Sequence, residues 1–135
     1  MSIVVIGVNH RTAPLSVLER LTIAPPDVAK AVGGLAGRDN LREVAVLSTC
    51  NRTEVYVVAE RFHGAYADIR DFLCELGSLR ADELHPHLYS QHDDAAARHL
   101  FEVAAGLHSA VIGESEILGQ VRGRSRSRCG PACPR

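Results

Sequence analysis

The chain has 135 residues, of which 46% are hydrophobic and 23% are charged. These values are ordinary for one globular domain, and they exclude a disordered chain, a collagen and a short disulfide-stapled scaffold. The net charge of −1 hides an uneven distribution. Residues 1–121 contain ten basic and sixteen acidic residues, whereas residues 122–135 contain five arginines and no acid. A basic tail of this kind indicates a nucleic acid or a membrane surface as a partner.

The start of the chain shows no targeting or membrane-spanning segment. The apolar run at residues 3–6 lacks a preceding basic region and is far shorter than the roughly 20 residues that span a bilayer. We therefore predict a soluble cytoplasmic protein whose four cysteines are reduced. Cys74 lies among apolar residues of a predicted helix, so we expect it in the core.

Apolar periodicity and turn residues predict the elements in chain order. They are a strand at 2–9, a helix that begins near Pro14 within 10–21, a helix at 27–36, strands at 42–48 and 53–60, a helix at 65–76, a short edge strand at 84–89, a capping box at 90–93, and helices at 95–107 and 112–121. Only residues 49–52 separate the two middle strands, which predicts an antiparallel hairpin. The order predicts an α+β fold of the split βαβ, or ferredoxin-like, type with a C-terminal helical extension.

The loop of the predicted hairpin carries a cysteine between polar residues. Cys50 is flanked by Thr49 and Asn51, and Arg52 follows. Loops held by rigid strands commonly carry reactive groups, Arg52 is a cation that favours a thiolate, and the polar neighbours can donate hydrogen bonds to an oxyanion. An average free cysteine is a small buried hydrophobe. From these residues alone, Cys50 is either a nucleophile or a packing residue.

Two histidines and an acidic stretch also have more than one interpretation. His10 follows the first strand, where it either lines a site or only completes the strand end. His99 lies between packing positions of a predicted helix, which is more typical of a partly buried core residue than of a catalyst. Glu114 and Glu116 are explained without any function as favourable acids at a helix N-terminus.

Signals for a nucleotide loop or a metal are weak in this sequence. No G-x-G-x-x-G or G-x-x-x-x-G-K-[ST] phosphate loop is present. His85, His87 and His92 lack a cysteine or carboxylate partner at ligand spacing, and the segment from Cys129 to Cys133 lacks a second zinc half-site. We therefore predict no metal site and no cofactor-binding residue in this chain.

Three stretches together closely resemble the N-terminal catalytic region of the glutamyl-tRNA reductase family. They read GVNHRTAPLSVLERL at 7–21, LSTCNRTEVYVV at 47–58 and GLHSAVIGESEILGQVR at 106–122, in the order and at the spacings of that family. The resemblance covers about residues 3–122. It implies an NADPH-dependent oxidoreductase at the first committed step of the five-carbon route to 5-aminolevulinate, and hence of porphyrin and other tetrapyrrole synthesis.

The resemblance implies that Cys50 and His99 are catalytic. A Cys50 thiolate would attack the ester carbonyl of glutamyl-tRNA(Glu), release the tRNA and form a thioester, which NADPH reduces to glutamate-1-semialdehyde in the full-length family without a metal. His99 would assist proton transfer or position the ester. Arg52 would pair with the substrate side-chain carboxylate, and Glu114 would hold the α-ammonium group. The implied substrate-binding residues are Thr49, Cys50, Asn51, Arg52, Ser109, Glu114, Ser115, Glu116 and Gln120.

Two features depart from the family pattern. Position 116 is commonly Gln in the family, whereas Glu116 adds negative charge near an anionic substrate, so we expect weaker affinity. The family continues after residue 121 into a nucleotide-binding domain and a helical dimerisation domain, whereas residues 122–135 are an Arg-rich tail that we expect to be disordered or aberrant. We therefore expect residues 1–121 to be the catalytic domain of a truncated chain, which alone does not complete the reduction.

The resemblance also implies partners. These are glutamyl-tRNA(Glu), a second copy of the chain in the full-length family, and the aminomutase that acts on glutamate-1-semialdehyde, with no membrane. Two alternatives stay open. One is a non-catalytic RNA-binding or partner-binding fragment that uses the Arg-rich tail for phosphate contacts, and the other is a non-functional gene remnant.

Overall fold

A computed structural model describes residues 2–106, and the structural statements below concern those residues. Four antiparallel strands form one sheet with the order β2-β3-β1-β4. The strands are β1 (Ser2–Asn9), β2 (Leu41–Ser48), β3 (Arg52–Ala59) and β4 (Tyr89–His92). The helices are α1 (Leu15–Leu21), α2 (Val28–Ala36), α3 (Phe62–Gly77), α4 (Ala81–Leu84) and α5 (Asp94–Ala104), with 3-10 turns at Pro25–Asp27 and His85–His87.

The strand order is that of a split βαβ unit. The helices α1 and α2 connect β1 to β2, and β3 lies between these two strands and pairs antiparallel with both. The edge strand β4 pairs with β1 on its other side, also antiparallel. The predicted α+β, ferredoxin-like architecture is confirmed.

The two faces of the sheet are covered by different helices. Because successive strand residues point to opposite faces, Val4 and Ile6 of β1 pack with α1, α2, α3 and α4 in the main core. Val5 of β1 and Tyr56 of β3 point to the other face, where they share a second cluster with Ala96 and Val103 of α5. The predicted C-terminal helical extension therefore begins with a helix that covers the face opposite the main core.

The predicted strand at 84–89 and the predicted capping box at 90–93 are wrong. Leu84 ends α4, and Pro86, which lacks a backbone donor, lies in a 3-10 turn. The strand follows that turn, and its polar residues are tolerated because β4 is an edge. Asp93 donates its backbone N–H to the carbonyl of Ile3, 2.7 Å away, and its side chain makes no cap bond to α5.

Other element boundaries differ by a few residues. The helix predicted at 95–107 ends at Ala104, and Gly106 takes a φ of 82°, a left-handed conformation that glycine adopts without strain. The helix α3 begins three residues before its predicted start at 65. Cys74 on α3 is partly buried against the main core, as expected, and burial raises the pKa of its thiol. The helix predicted at 112–121 lies outside the described residues. Within residues 2–106, no helix is long and apolar enough to cross a membrane.

Candidate active site

The hairpin between β2 and β3 presents Cys50 at a two-residue tip. The backbone N–H of Thr49 donates to the carbonyl of Arg52 at 2.8 Å, which closes the turn. Within the turn, the N–H of Asn51 donates to the Thr49 hydroxyl at 3.1 Å. Cys50 is a free, exposed thiol. The tip is therefore a rigid mount that leaves this thiol open to a large substrate.

A buried chain of hydrogen bonds anchors the base of the hairpin. The backbone N–H of Ile23 donates to the hydroxyl of Ser48 at 2.9 Å. The Ser48 and Thr53 hydroxyls are 2.9 Å apart, and the Thr53 hydroxyl donates to the carbonyl of Leu21 at 3.0 Å. Each hydroxyl has one hydrogen, and Thr53 donates its own to the carbonyl of Leu21, so the Ser48 hydroxyl donates to the Thr53 hydroxyl. These bonds tie the hairpin to the segment that ends α1.

The turn after β1 lies against the hairpin tip. The backbone N–H of His10 donates to the carbonyl of Asn51 at 2.9 Å. The side-chain oxygen of Asn9 accepts from the N–H groups of Arg11 and Thr12 at 2.9 and 3.1 Å, an Asx turn that fixes this segment. The side chains of His10 and Arg11 are exposed. The structure thus places His10 beside the Cys50 tip, and whether its imidazole contacts a substrate stays a prediction.

A fully buried carboxylate lies behind the tip. Arg52, Glu54 and Tyr56 alternate along β3, so all three face α5. The Tyr56 hydroxyl donates to Oε1 of Glu54 at 2.9 Å, and a guanidinium nitrogen of Arg52 lies 3.3 Å from Oε2. The Tyr89 hydroxyl of β4 and Nε2 of His99 on α5 also contact Oε2. Four donors from three elements converge on one side chain that is 0% exposed.

These donors determine the charge state of the cluster. Burial raises the pKa of Glu54, but the hydrogen bond and charge of His99, the Tyr89 hydroxyl and the Arg52 charge outweigh it, so the net pKa is lowered. Burial and the neighbouring carboxylate raise the pKa of both Tyr56 and Tyr89. Near neutral pH, Glu54 is therefore a carboxylate and both phenols keep their hydrogens.

Because Gly7 of β1 has no side chain, Glu54 has space beside this strand. These two residues are partners in the β1–β3 register. A Cβ atom at Gly7 would lie 2.5 Å from the Thr53 carbonyl oxygen and 2.9 Å from the Cα atom of Glu54. Both distances are well inside van der Waals contact, so only glycine allows the strands to approach this closely.

The structure brings together part of the set of residues predicted as the site. Arg52 and His99 meet at the same oxygen of Glu54, and Cys50 and Asn51 form the turn that immediately precedes Arg52. The Arg52 side chain is fully buried, and that of His99 is 11% exposed. The remaining predicted residues lie outside the described residues; they are Ser109, Glu114, Ser115, Glu116 and Gln120.

Comparison with known proteins identifies the family. A family model described as "Glutamyl-tRNAGlu reductase, N-terminal domain" matches residues 6–129, which is most of the chain. The chain belongs to the glutamyl-tRNA reductase family. The resemblance carried by the three sequence stretches is therefore confirmed.

Relatives of known name support the same assignment. The chain is 49% identical over 127 residues to a glutamyl-tRNA reductase of Frankia alni, covering 94% of this chain and 27% of that protein. A second relative, glutamyl-tRNA reductase 1 of a Nocardioides species, is 38% identical and is covered over 32% of its length. The solved glutamyl-tRNA reductase of Methanopyrus kandleri superimposes with a TM-score of 0.71 at 30% identity, over 98% of this chain and 29% of that one. The chain thus spans about a quarter to a third of these reductases.

Glu54 itself and its partners Tyr56 and Tyr89 were missed in the sequence, whereas Arg52 and His99 were predicted as site residues. One signal was available, because Glu54 interrupts an apolar strand, with Arg52 and Tyr56 two residues away on the same face. A charge on a buried strand needs partners, so the pattern indicated an ion pair. Tyr89 gave no such signal, since it lies 35 positions from Glu54 and belongs to a strand predicted in the wrong place.

The described residues fit neither a nicotinamide dinucleotide nor a metal centre. The sheet is antiparallel throughout and offers no strand, glycine-rich turn and helix for a pyrophosphate. Within residues 2–106, no group of three or more His, Cys, Asp or Glu side chains is placed to hold a metal ion.

Proposed function

We propose that this chain performs the thioester-forming half of the glutamyl-tRNA reductase reaction. The observation that carries the proposal is the exposed Cys50 thiol on a rigid hairpin tip, with Arg52 following it and fixed from behind by Glu54. A nucleophile on a rigid turn needs little reorganisation before it attacks. Family membership supports the proposed substrate, an aminoacyl ester of tRNA(Glu).

The proposed step is acyl transfer from oxygen to sulfur. The Cys50 sulfur forms a bond to the glutamyl carbonyl carbon and gives up its proton, and the carbonyl oxygen becomes an oxyanion. Collapse of this intermediate breaks the bond to the terminal ribose oxygen, which takes a proton as the tRNA leaves. The products are a Cys50 thioester of glutamate and free tRNA.

Neighbouring groups take separate proposed roles. His99 carries the proton from the thiol to the leaving oxygen. Thr49 and Asn51 line the tip and position the reacting ester. Arg52 pairs with the glutamate side-chain carboxylate, a role in which the buried carboxylate of Glu54 holds the guanidinium in place. Contacts to the rest of the substrate are assigned to Ser109, Glu114, Ser115, Glu116 and Gln120.

Reduction of the thioester is assigned to a separate cofactor site. The family uses NADPH as the hydride donor, and the described residues do not fit such a group, so no step of the reduction is assigned to them. We propose that this chain alone forms the thioester but makes no glutamate-1-semialdehyde. A cytoplasmic location, pairing with a second copy and contact with the aminomutase are further proposals that rest on the family.

Covalent labelling tests the proposal. The purified chain is mixed with tRNA charged with radioactive glutamate, quenched in acid, and analysed for label on the protein and for released tRNA. We expect label on the parent chain and on Cys74→Ser, the matched control, and none on Cys50→Ser. Label that persists in Cys50→Ser refutes the nucleophile. Salt-sensitive tRNA binding without any label supports the non-catalytic alternative instead.

A further inference from the structure

The contact between Glu54 and His99 determines where a neutral imidazole holds its hydrogen. An ionised carboxylate only accepts hydrogen bonds, and a neutral imidazole has one nitrogen with a hydrogen and one without. Nε2 of His99 is in hydrogen-bond contact with Oε2 of Glu54. That nitrogen must therefore carry the hydrogen.

We propose that Glu54 is a positioning residue that keeps the hydrogen of neutral His99 on Nε2, so that His99 gains and loses its catalytic proton at Nδ1. The proposal rests on the proposed function for its chemical consequence, because it presumes that His99 is the proton carrier. The assignment of the hydrogen itself depends only on the described geometry.

Three features make Glu54 suited to this role. It receives donors from Arg52 and Tyr56 on its own strand and from Tyr89 on β4, all of which favour the carboxylate over the acid. The Tyr89 ring also packs against the imidazole, with centroids 5.5 Å apart and planes at 57°, which restrains rotation of the His99 ring. Finally, the Glu54 side chain is fully buried, so water does not compete for its carboxylate oxygens.

The same carboxylate orients the two side chains that are proposed to act on the substrate. Arg52 and His99 both contact Oε2, from β3 and α5 respectively. A change at Glu54 therefore disturbs substrate positioning and proton transfer together, although Glu54 itself touches neither substrate nor thiol in this proposal. In the reaction, Nδ1 takes the thiol proton and returns it to the leaving ribose oxygen, so no proton is gained or lost overall.

Nitrogen NMR of the histidine ring tests the hydrogen assignment without any substrate. The chain is labelled with ¹⁵N, and His99 is identified by the signals that disappear in His99→Gln. When the His99 ring is neutral, we expect the Nε2–H tautomer in the parent chain and in Glu60→Gln, a control that removes an exposed glutamate paired with Arg42 just after β3. In Glu54→Gln we expect a mixture of tautomers, because an amide can donate as well as accept.

The result that overturns the assignment is a parent chain in which Nδ1 carries the hydrogen. An unchanged tautomer in folded Glu54→Gln overturns the role of Glu54. If Glu54→Gln does not fold, Tyr89→Phe replaces it. This variant keeps the carboxylate and removes one competing donor, so the Nε2–H tautomer must persist there, and its loss counts against the proposal.

Single-turnover kinetics test the catalytic consequence. We expect Glu54→Gln to slow thioester formation about 100-fold, within the range of general acid–base effects, and to flatten the pH dependence of the rate. Glu60→Gln should react at the parent rate. Equal rates for Glu54→Gln and the parent chain refute the positioning role. A parent chain with fixed tautomer but no thioester refutes the proposed function instead and leaves the hydrogen assignment standing.

Discussion

Gly7→Ala should destabilise the protein strongly, although it adds one methyl group. The new Cβ would lie 2.5 Å from the Thr53 carbonyl oxygen and 2.9 Å from the Cα of Glu54. Both are backbone atoms, so no side-chain rotation relieves the clash, and β1 must move away from β3. We expect a loss of about 3 kcal/mol, at the upper end for overpacking. That corresponds to a fall in Tm of roughly 10 to 20 °C for a domain of this size.

Gly33→Ala is the matched control for this substitution. Gly33 lies inside α2, and a Cβ there would have nothing within 4 Å. The same added methyl should stabilise the helix by about 0.5 to 1 kcal/mol, because alanine loses less backbone entropy than glycine. Urea unfolding followed by circular dichroism measures both variants. If Gly7→Ala unfolds at the same urea concentration as the parent chain, the close approach of β1 and β3 is refuted.

Three further predictions concern the buried polar groups. Because the pKa of Glu54 is lowered, its carboxylate stabilises the fold at pH values above the ordinary pKa of 4.5, and this stability disappears as the pH falls through the lowered pKa. Urea unfolding at about pH 7 and about pH 3 should therefore show a smaller acid-induced decrease in unfolding free energy for Glu54→Gln than for the parent chain. The raised pKa values of Tyr56 and Tyr89 predict a Tm that stays level up to about pH 10 and falls above it; a fall that begins well below pH 9 contradicts their burial as neutral phenols. Ser48→Ala leaves the N–H of Ile23 without its acceptor and should cost about 1 to 3 kcal/mol in urea unfolding, whereas a loss near zero means that the N–H is not buried.

The local sequence pattern was sufficient to predict most of the strands and helices of the fold. The strand at 2–9 was predicted with its observed bounds, because β-branched residues run without a break between polar turn formers. The hairpin around Cys50 followed from two apolar runs separated by four polar residues. The prediction for residues 84–93 failed because Pro86 and the polar residues of an edge strand show little periodicity.

The sequence by itself was sufficient to predict the family, the split βαβ architecture and the position of Cys50 at a hairpin tip, because motifs, apolar periodicity and turn residues carry these features. Only the tertiary structure decided which residues of other elements surround Glu54. Tyr89 and His99 lie 35 and 45 positions from it, and no local pattern specifies which face of the sheet α5 covers. That choice follows from burial of Ala96 and Val103 against Val5 and Tyr56, and it brings the imidazole of His99 to a carboxylate that has no access to water.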